Sequence, residues 1–156
     1  RDSAMRFRLP SSSFSNTSGY AKTTVFDTVS LLKELGILTA ITEYSAKAQA
    51  KTSVKLLFAH PNLRSAVAGE LMREPEIGAL REEYFVFHAR NLNLPVFLPK
   101  KSKKTPDYEV LLGNKKTLFE IGGQSKTNAQ FEGKNGFVLD DEKLMVFGFV
   151  EKQKGG

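Results

Sequence analysis

Pro106-Asp107-Tyr108-Glu109-Val110-Leu111-Leu112-Gly113-Asn114-Lys115-Lys116-Thr117-Leu118-Phe119-Glu120 is the stretch that decides the fold. Gly113-Asn114, set between two β-prone runs, has the chemistry of a two-residue hairpin turn of the primed type. A turn there puts Leu112 opposite Lys115 and fixes every other pair, so Asp107 comes to face Glu120. Tyr108, Val110, Leu112, Phe119 and Ile121 then share an apolar face, while Asp107, Glu109 and Glu120 share the other. Two facing carboxylates with Cβ atoms about 5 Å apart repel unless a cation lies between them. Oxygen-only ligands of this kind suit Mg²⁺, which takes one or two carboxylates and keeps several waters. The same residues also fit a solvated strand face with Lys116 and Lys126 as counter-charges, the usual fate of strand carboxylates.

Outward from the hairpin, Val96 to Leu98 and Leu144 to Val150 are short β-branched or aromatic runs bounded by Pro, Gly, Asn and Lys, and read as further strands. The expected central mixed sheet therefore uses residues 96–98, 106–112, 117–121 and 144–150, with room for a short helix in the polar stretch Gln124 to Gly136. Glu76 to Asn91 reads as a largely buried helix, since Ile77, Leu80, Tyr84, Phe85, Phe87 and His88 give it a wide apolar surface. Pro61 to Ala68 is a short helix with Pro in its first turn. Ile37 to Tyr44 and Ser53 to Phe58 form a β-ribbon. A helix precedes the ribbon, opening at a Thr24/Asp27 capping box, lined by Val25, Val29 and Leu32, and stopped by Gly36. Residues 1–23, rich in Ser, Thr and Asn, read as a flexible arm or an artificial junction, and residues 152–156 as a tail. The start at Arg1 instead of Met suggests a piece of something longer.

Composition narrows the function. The 156 residues are 40% hydrophobic and 26% charged, ordinary values for a globular domain. The absence of Cys excludes disulfides, thiol catalysis and thiolate metal sites. No apolar run approaches the ~20 residues that cross a bilayer and no signal peptide opens the chain, so a cytoplasmic location with no membrane partner is expected. A net charge of +6 permits binding to a polyanion without requiring it.

Pro106-Asp107, a hairpin of this length and Glu120-Ile121-Gly122 resemble the PD-(D/E)XK nuclease core, whose metal ligands are the Asp and the Glu and whose Lys stands two residues after the Glu. More closely, four stretches are similar to the C-terminal region of prokaryotic AAA-type ATP-binding proteins. They are Ile77-Gly78-Ala79-Leu80-Arg81-Glu82-Glu83-Tyr84-Phe85, Pro106-Asp107-Tyr108, Phe119-Glu120-Ile121-Gly122-Gly123-Gln124-Ser125-Lys126 and Leu144-Met145-Val146-Phe147-Gly148-Phe149. In those proteins a winged-helix segment joins the ATPase to a nuclease-like domain. The resemblance spans roughly Thr24 to Val150. It implies an α/β, restriction-endonuclease-like core of helix, three strands, helix and strand over residues 61–151, preceded by a small winged-helix-like helix and hairpin over 24–60.

Carried over by position, the resemblance makes Glu82 the helix carboxylate, Asp107 the central metal ligand and Glu120 the second, with the Ile121 carbonyl as a possible third. The Lys position holds Gly122, which can neither orient an attacking water nor stabilise charge on a phosphate. Lys126 could reach back from the following loop to replace it. Lys100, Lys101, Lys103 and Lys104 form a basic run before Asp107 that could grip the phosphates of DNA, or be a solvated turn. ATP would belong to an upstream domain. Gly122-Gly123-Gln124-Ser125-Lys126-Thr127 imitates a phosphate loop but has Glu120 and Ser125 where that motif needs Gly. Phe137-Val138-Leu139-Asp140-Asp141-Glu142 imitates a Walker B strand, yet follows that loop too soon for a crossover. His60 and His88, with no cluster around them, are expected to be structural.

The expected function is a nucleic-acid-binding or accessory domain of an AAA-type ATPase, on a metal-nuclease fold impaired in hydrolysis. The alternatives are an active Mg²⁺-dependent endonuclease, with Asp107 and Glu120 holding metal and Glu82 and Lys126 assisting, and a protein-interaction module.

Overall fold

The structure is a computed structural model that describes residues 19–44, 54–100, 105–122, 131 and 135–149. In chain order it comprises α1 (Lys22–Glu34), β1 (Leu38–Thr42), β2 (Val54–Phe58), α2 (Pro61–Glu70), α3 (Ile77–Asn91), β3 (Val96–Phe97), β4 (Tyr108–Leu112), β5 (Lys115–Ile121), β6 (Gly136–Leu139) and α4 (Asp141–Phe149). Among the described residues the chain is thus a mixed α/β protein with four helices and two sheets. β1 and β2 form an antiparallel pair, and the larger sheet has the order β3-β4-β5-β6. Its first two pairings are antiparallel and the last, β5 with β6, is parallel.

The central hairpin has the register its turn demands, from Leu112 opposite Lys115 to Tyr108 opposite Phe119. Gly113 takes φ 61° and Asn114 does not take positive φ, so the turn is of the form that needs Gly at its first central position. Tyr108, Val110, Phe119 and Ile121 are buried as one face. Phe85 of α3 lies on that face with ring centroids 5.5 Å from Tyr108 and 5.2 Å from Phe119, and Phe147 of α4 lies 5.2 Å from Phe85. α3 and α4 therefore cover the same side of the sheet. Ile41 and Leu57 of the β1-β2 pair belong to this same core. The two sheets are also joined at one edge, where the Leu98 amide donates to the Thr42 carbonyl at 2.9 Å.

The last strand is not where its sequence placed it. Residues 144–149 lie in α4, and the fourth strand is Gly136–Leu139. A short apolar run such as Leu144 to Phe149 fits either state, and the flanking residue decides. Asp140 caps the helix, its Oδ1 accepting from the Lys143 amide at 3.0 Å, while Asp141 and Glu142 supply favourable negative charge in the first turn. Leu144 is then buried, Phe147 packs on the core, and Met145 and Val146 face solvent. This strand falls on the Phe137–Leu139 run, whose distance from the preceding loop reads as too short for a crossover. The fourteen residues between Ile121 and Gly136 suffice for the parallel return. The short helix expected between Gln124 and Gly136 falls largely outside the described residues.

α1 begins at Lys22, earlier than the expected capping box, with Ala21 as an N-cap that makes no side-chain bond. Thr24 is inside the helix and its carbonyl accepts from Thr28 Oγ1 at 2.8 Å.

Three helices end in the same backbone device, a left-handed residue whose amide bonds three residues back while the next amide bonds five back. In α1 that residue is Gly36 (φ 70°), in α3 it is Asn93 (φ 56°) and in α2 it is Met72 (φ 52°). The five-back bonds are Ile37 to Leu32 at 2.9 Å, Leu94 to Ala89 at 2.9 Å and Arg73 to Ala68 at 3.0 Å. Gly and Asn tolerate the left-handed region, whereas Met pays for its Cβ there. Met72→Gly is therefore expected to stabilise the protein by about 1 kcal/mol, offset in part by the greater entropy of the unfolded chain. Thermal melts should show a higher Tm, and an unchanged or lower Tm would mean that Met72 makes compensating contacts.

Candidate functional site

β4 and β5 bring the sequence-predicted carboxylates to one end of the sheet. Asp107 stands one residue before β4, and its Oδ2 accepts from the Ile121 amide at 2.8 Å. Its side chain thus continues the β4-β5 pairing beyond the last backbone pair and is held beside Glu120. Glu120 faces Val138 of β6 on its other flank and is only 1% exposed. A solvated strand face does not describe it. Lys116, one of the counter-charges which that reading needed, pairs instead with Glu109 at 2.8 Å and lies 4.4 Å from the centre of the Tyr44 ring.

Glu82 is differently engaged. The Tyr108 hydroxyl donates to Glu82 Oε2, and Lys55 of β2 reaches the same oxygen. Tyr108 packs beneath α3, its ring centroid 5.5 Å from that of Phe85. Glu82 therefore belongs to a Lys55-Glu82-Tyr108 cluster on the helix side of the sheet. Among the described residues no group of three or more His, Asp or Glu side chains is arranged to hold a metal ion. Among the described residues the sequence-predicted pair, Asp107 with Glu120, has the chemistry for one, since two carboxylates completed by water suit Mg²⁺. At the position of the nuclease lysine, Gly122 is buried and its amide donates to the Leu139 carbonyl at 3.1 Å. Lys100 is exposed just after β3. Lys101, Lys103, Lys104 and Lys126 lie outside the described residues.

The charged group that dominates the interior was not singled out from the sequence. Glu83 is fully buried. Arg64 of α2 grips it with two hydrogen bonds, Nε to Oε2 at 2.9 Å and Nη2 to Oε1 at 2.7 Å, and the Phe58 amide donates to Oε1 at 3.0 Å. The hydrogen bond to Glu83 raises the Arg64 guanidinium above its ordinary value. Two adjacent acids inside an aromatic helix were the available signal, because a buried carboxylate needs a partner. Nothing local to Glu83 points to Arg64. A second two-bond pair, Arg81 Nη2 to Asp141 Oδ2 at 2.7 Å and Nε to Oδ1, ties α3 to the start of α4 and holds Asp141 below the usual carboxylate range.

Both histidines have structural contacts. His60 caps α2, its Nδ1 accepting from the Asn62 amide at 3.1 Å, and its ring meets Phe87 edge-on. His88 packs against Tyr84 and Phe87.

Comparison of the chain with family models, with curated proteins and with solved structures finds no match.

Two outcomes follow from the interior charges. Arg64→Met leaves a buried carboxylate uncompensated and should cost about 3 kcal/mol, read as a lower denaturant midpoint. A cost below about 1 kcal/mol would place the pair in the class of surface ion pairs. Burial, and then the charge of Glu82, raise the Tyr108 phenol above its ordinary value. The folded protein thus keeps a proton that the unfolded chain loses near pH ~10. This contribution to stability is complete below about pH 10 and declines as pH rises further. Tyr108→Phe should flatten the fall of Tm between about pH 9 and about pH 11, and an identical fall in the variant would remove Tyr108 as its cause.

Proposed function

We propose that the chain is a nucleic-acid-binding or accessory domain of an AAA-type ATPase, built on a restriction-endonuclease-like core whose hydrolytic site is impaired. The observation that carries this reading is the layout around the site. A helix is followed by three antiparallel strands, a return connection and a parallel fourth strand, with Asp107 opening the second strand and Glu120 near the end of the third. A helix, three strands and a fourth strand in that order agree with the nuclease resemblance, although the fourth strand comes earlier in the chain than expected, a helix follows it, and the second helix the resemblance implies falls on residues largely outside the described ones.

Impairment follows from Gly122. A side chain at this position would share a face with Glu120, two residues earlier, which is where a lysine could steady an attacking water. Glycine leaves that place without a cation of its own. Asp107 and Glu120 would still be able to hold Mg²⁺, whose chemistry when bound is to polarise a phosphate oxygen and lower the pKa of bound water. The residues of this chain would hold the phosphate backbone near that end of the sheet, with Lys100, Lys101, Lys103 and Lys104 as the donors. The net charge of +6 favours such binding. ATP would be handled by an upstream domain, and the cytoplasm is the compartment this reading implies.

Binding of a short DNA duplex, followed by fluorescence anisotropy, tests the reading. With four phosphates neutralised, affinity should fall about 100-fold between about 50 mM and about 200 mM salt, and replacing the four lysines by Ala should flatten that slope. Plasmid DNA should stay uncut with Mn²⁺ present. Nicking that disappears in Asp107→Ala would favour an active endonuclease, and the absence of DNA binding at low salt would reject the nucleic-acid reading.

A further inference from the structure

The C-terminal end of α2 presents an apolar knob. Val67, Leu71 and Met72 are 43%, 54% and 96% exposed. Val67 and Leu71 are four residues apart and so lie on one side of the helix, with Met72 immediately beyond. Of the three helices that close with a left-handed residue, the other two use Gly36 and Asn93, the types this backbone favours. Only α2 uses a residue that strains in this conformation, and the Met72 side chain, almost wholly in solvent, gains little packing within the molecule in return. The residue after the cap departs as well: Ile37 and Leu94 follow the other two, where Arg73 follows Met72.

The charge around the knob gives its counterpart. Glu70, Glu74 and Glu76 lie within five residues of Met72 along the chain, with Arg73 among them, and all four are exposed, while Arg64, one turn before Val67, is already engaged by Glu83. On a chain of net charge +6 this is a local reversal of sign. An acidic rim repels nucleic acid and anionic membranes, and attracts a basic surface. We infer that Val67, Leu71 and Met72 form a docking knob for a protein partner whose shallow apolar groove is bordered by Lys or Arg. Met is suited to such a contact because its unbranched thioether adapts to irregular apolar surfaces. The inference is independent of the Asp107-Glu120 end of the sheet.

The test uses the 156-residue chain labelled on its three methionine methyl groups, Met5, Met72 and Met145. Met145 is 59% exposed on α4 and serves as the internal reference. The probes are an amphipathic helical peptide of Leu and Lys, a Leu-Glu peptide with the same apolar face, a short DNA duplex and vesicles of phosphatidylglycerol. The Leu-Lys peptide should move the Met72 signal well before that of Met145, and the Leu-Glu peptide should not. Its affinity should fall at least tenfold in Met72→Gly, a variant expected to be more stable than the parent, and several-fold when Glu70, Glu74 and Glu76 are changed together to Gln. No movement of Met72, equal movement of Met145, or equal binding of the two peptides would overturn the inference. A Met72 response to DNA or to the vesicles that exceeds the peptide response would overturn it in favour of those partners.

Discussion

The register of the β4-β5 hairpin is the constraint on which the rest of the structure depends. Because side chains alternate with a period of two, moving the turn by one residue would send Tyr108, Val110, Phe119 and Ile121 to the wrong face and destroy the contact with Phe85. The same register brings Asp107 within reach of the Ile121 amide. One two-residue turn thus selects both the apolar face that α3 and α4 cover and the polar end at which the two carboxylates meet. β6 then completes the sheet beside Glu120, a carboxylate near the end of its strand that is almost inaccessible to solvent.

A second layer of specificity comes from two consecutive carboxylates on α3. Glu83 accepts from Arg64 and from the Phe58 amide, and Glu82 from Lys55 and Tyr108. Together they fasten β2 and α2 to the helix that covers the main sheet. The Phe58 bond gives a backbone donor of β2 a side-chain acceptor where no further strand supplies one, a charged closure of a sheet edge. Burying Glu83 contributes little net stability over an apolar residue of similar size, since desolvation offsets most of the attraction. What it contributes is a single docking position. An apolar contact tolerates sliding, whereas a two-bond guanidinium-carboxylate contact does not.

Local chemistry was legible in the sequence, and distant partnership was not. The hairpin register, the β1-β2 pair, the Gly36 stop and the boundaries of α3 could be read because each is set by residues adjacent in the chain: Gly113-Asn114, Gly36, or the spacing of Ile77, Leu80, Tyr84 and Phe85. Leu144 to Phe149 failed because strand and helix both accommodate six apolar residues, and the deciding Asp140 cap lies just before the run. The return to β6 was misjudged by treating a short connection as no connection. In the candidate site, the closeness of Asp107 and Glu120 followed from the register. The engagement of Glu82 did not, since Lys55 is 27 residues away and is brought there by the fold.

Under the proposed function, the distinction between cutting and holding nucleic acid turns on one position, Gly122. In a carboxylate-metal site the protein must supply both a place for the cation and a group that acts on the attacking water, and these are separable. Asp107 and Glu120 are set by strand pairing, so the first can persist for structural reasons even when catalysis is lost. The Asp107 bond to Ile121 gives Asp107 such a reason, because it extends the β4-β5 ladder by one hydrogen bond. Gly122 bears on the second alone: its amide pairs with the Leu139 carbonyl, and it has no side chain that could act on the water. On the proposed reading, a site that keeps the first requirement and lacks the second would hold a cation and a phosphate without supplying the group that acts on the attacking water.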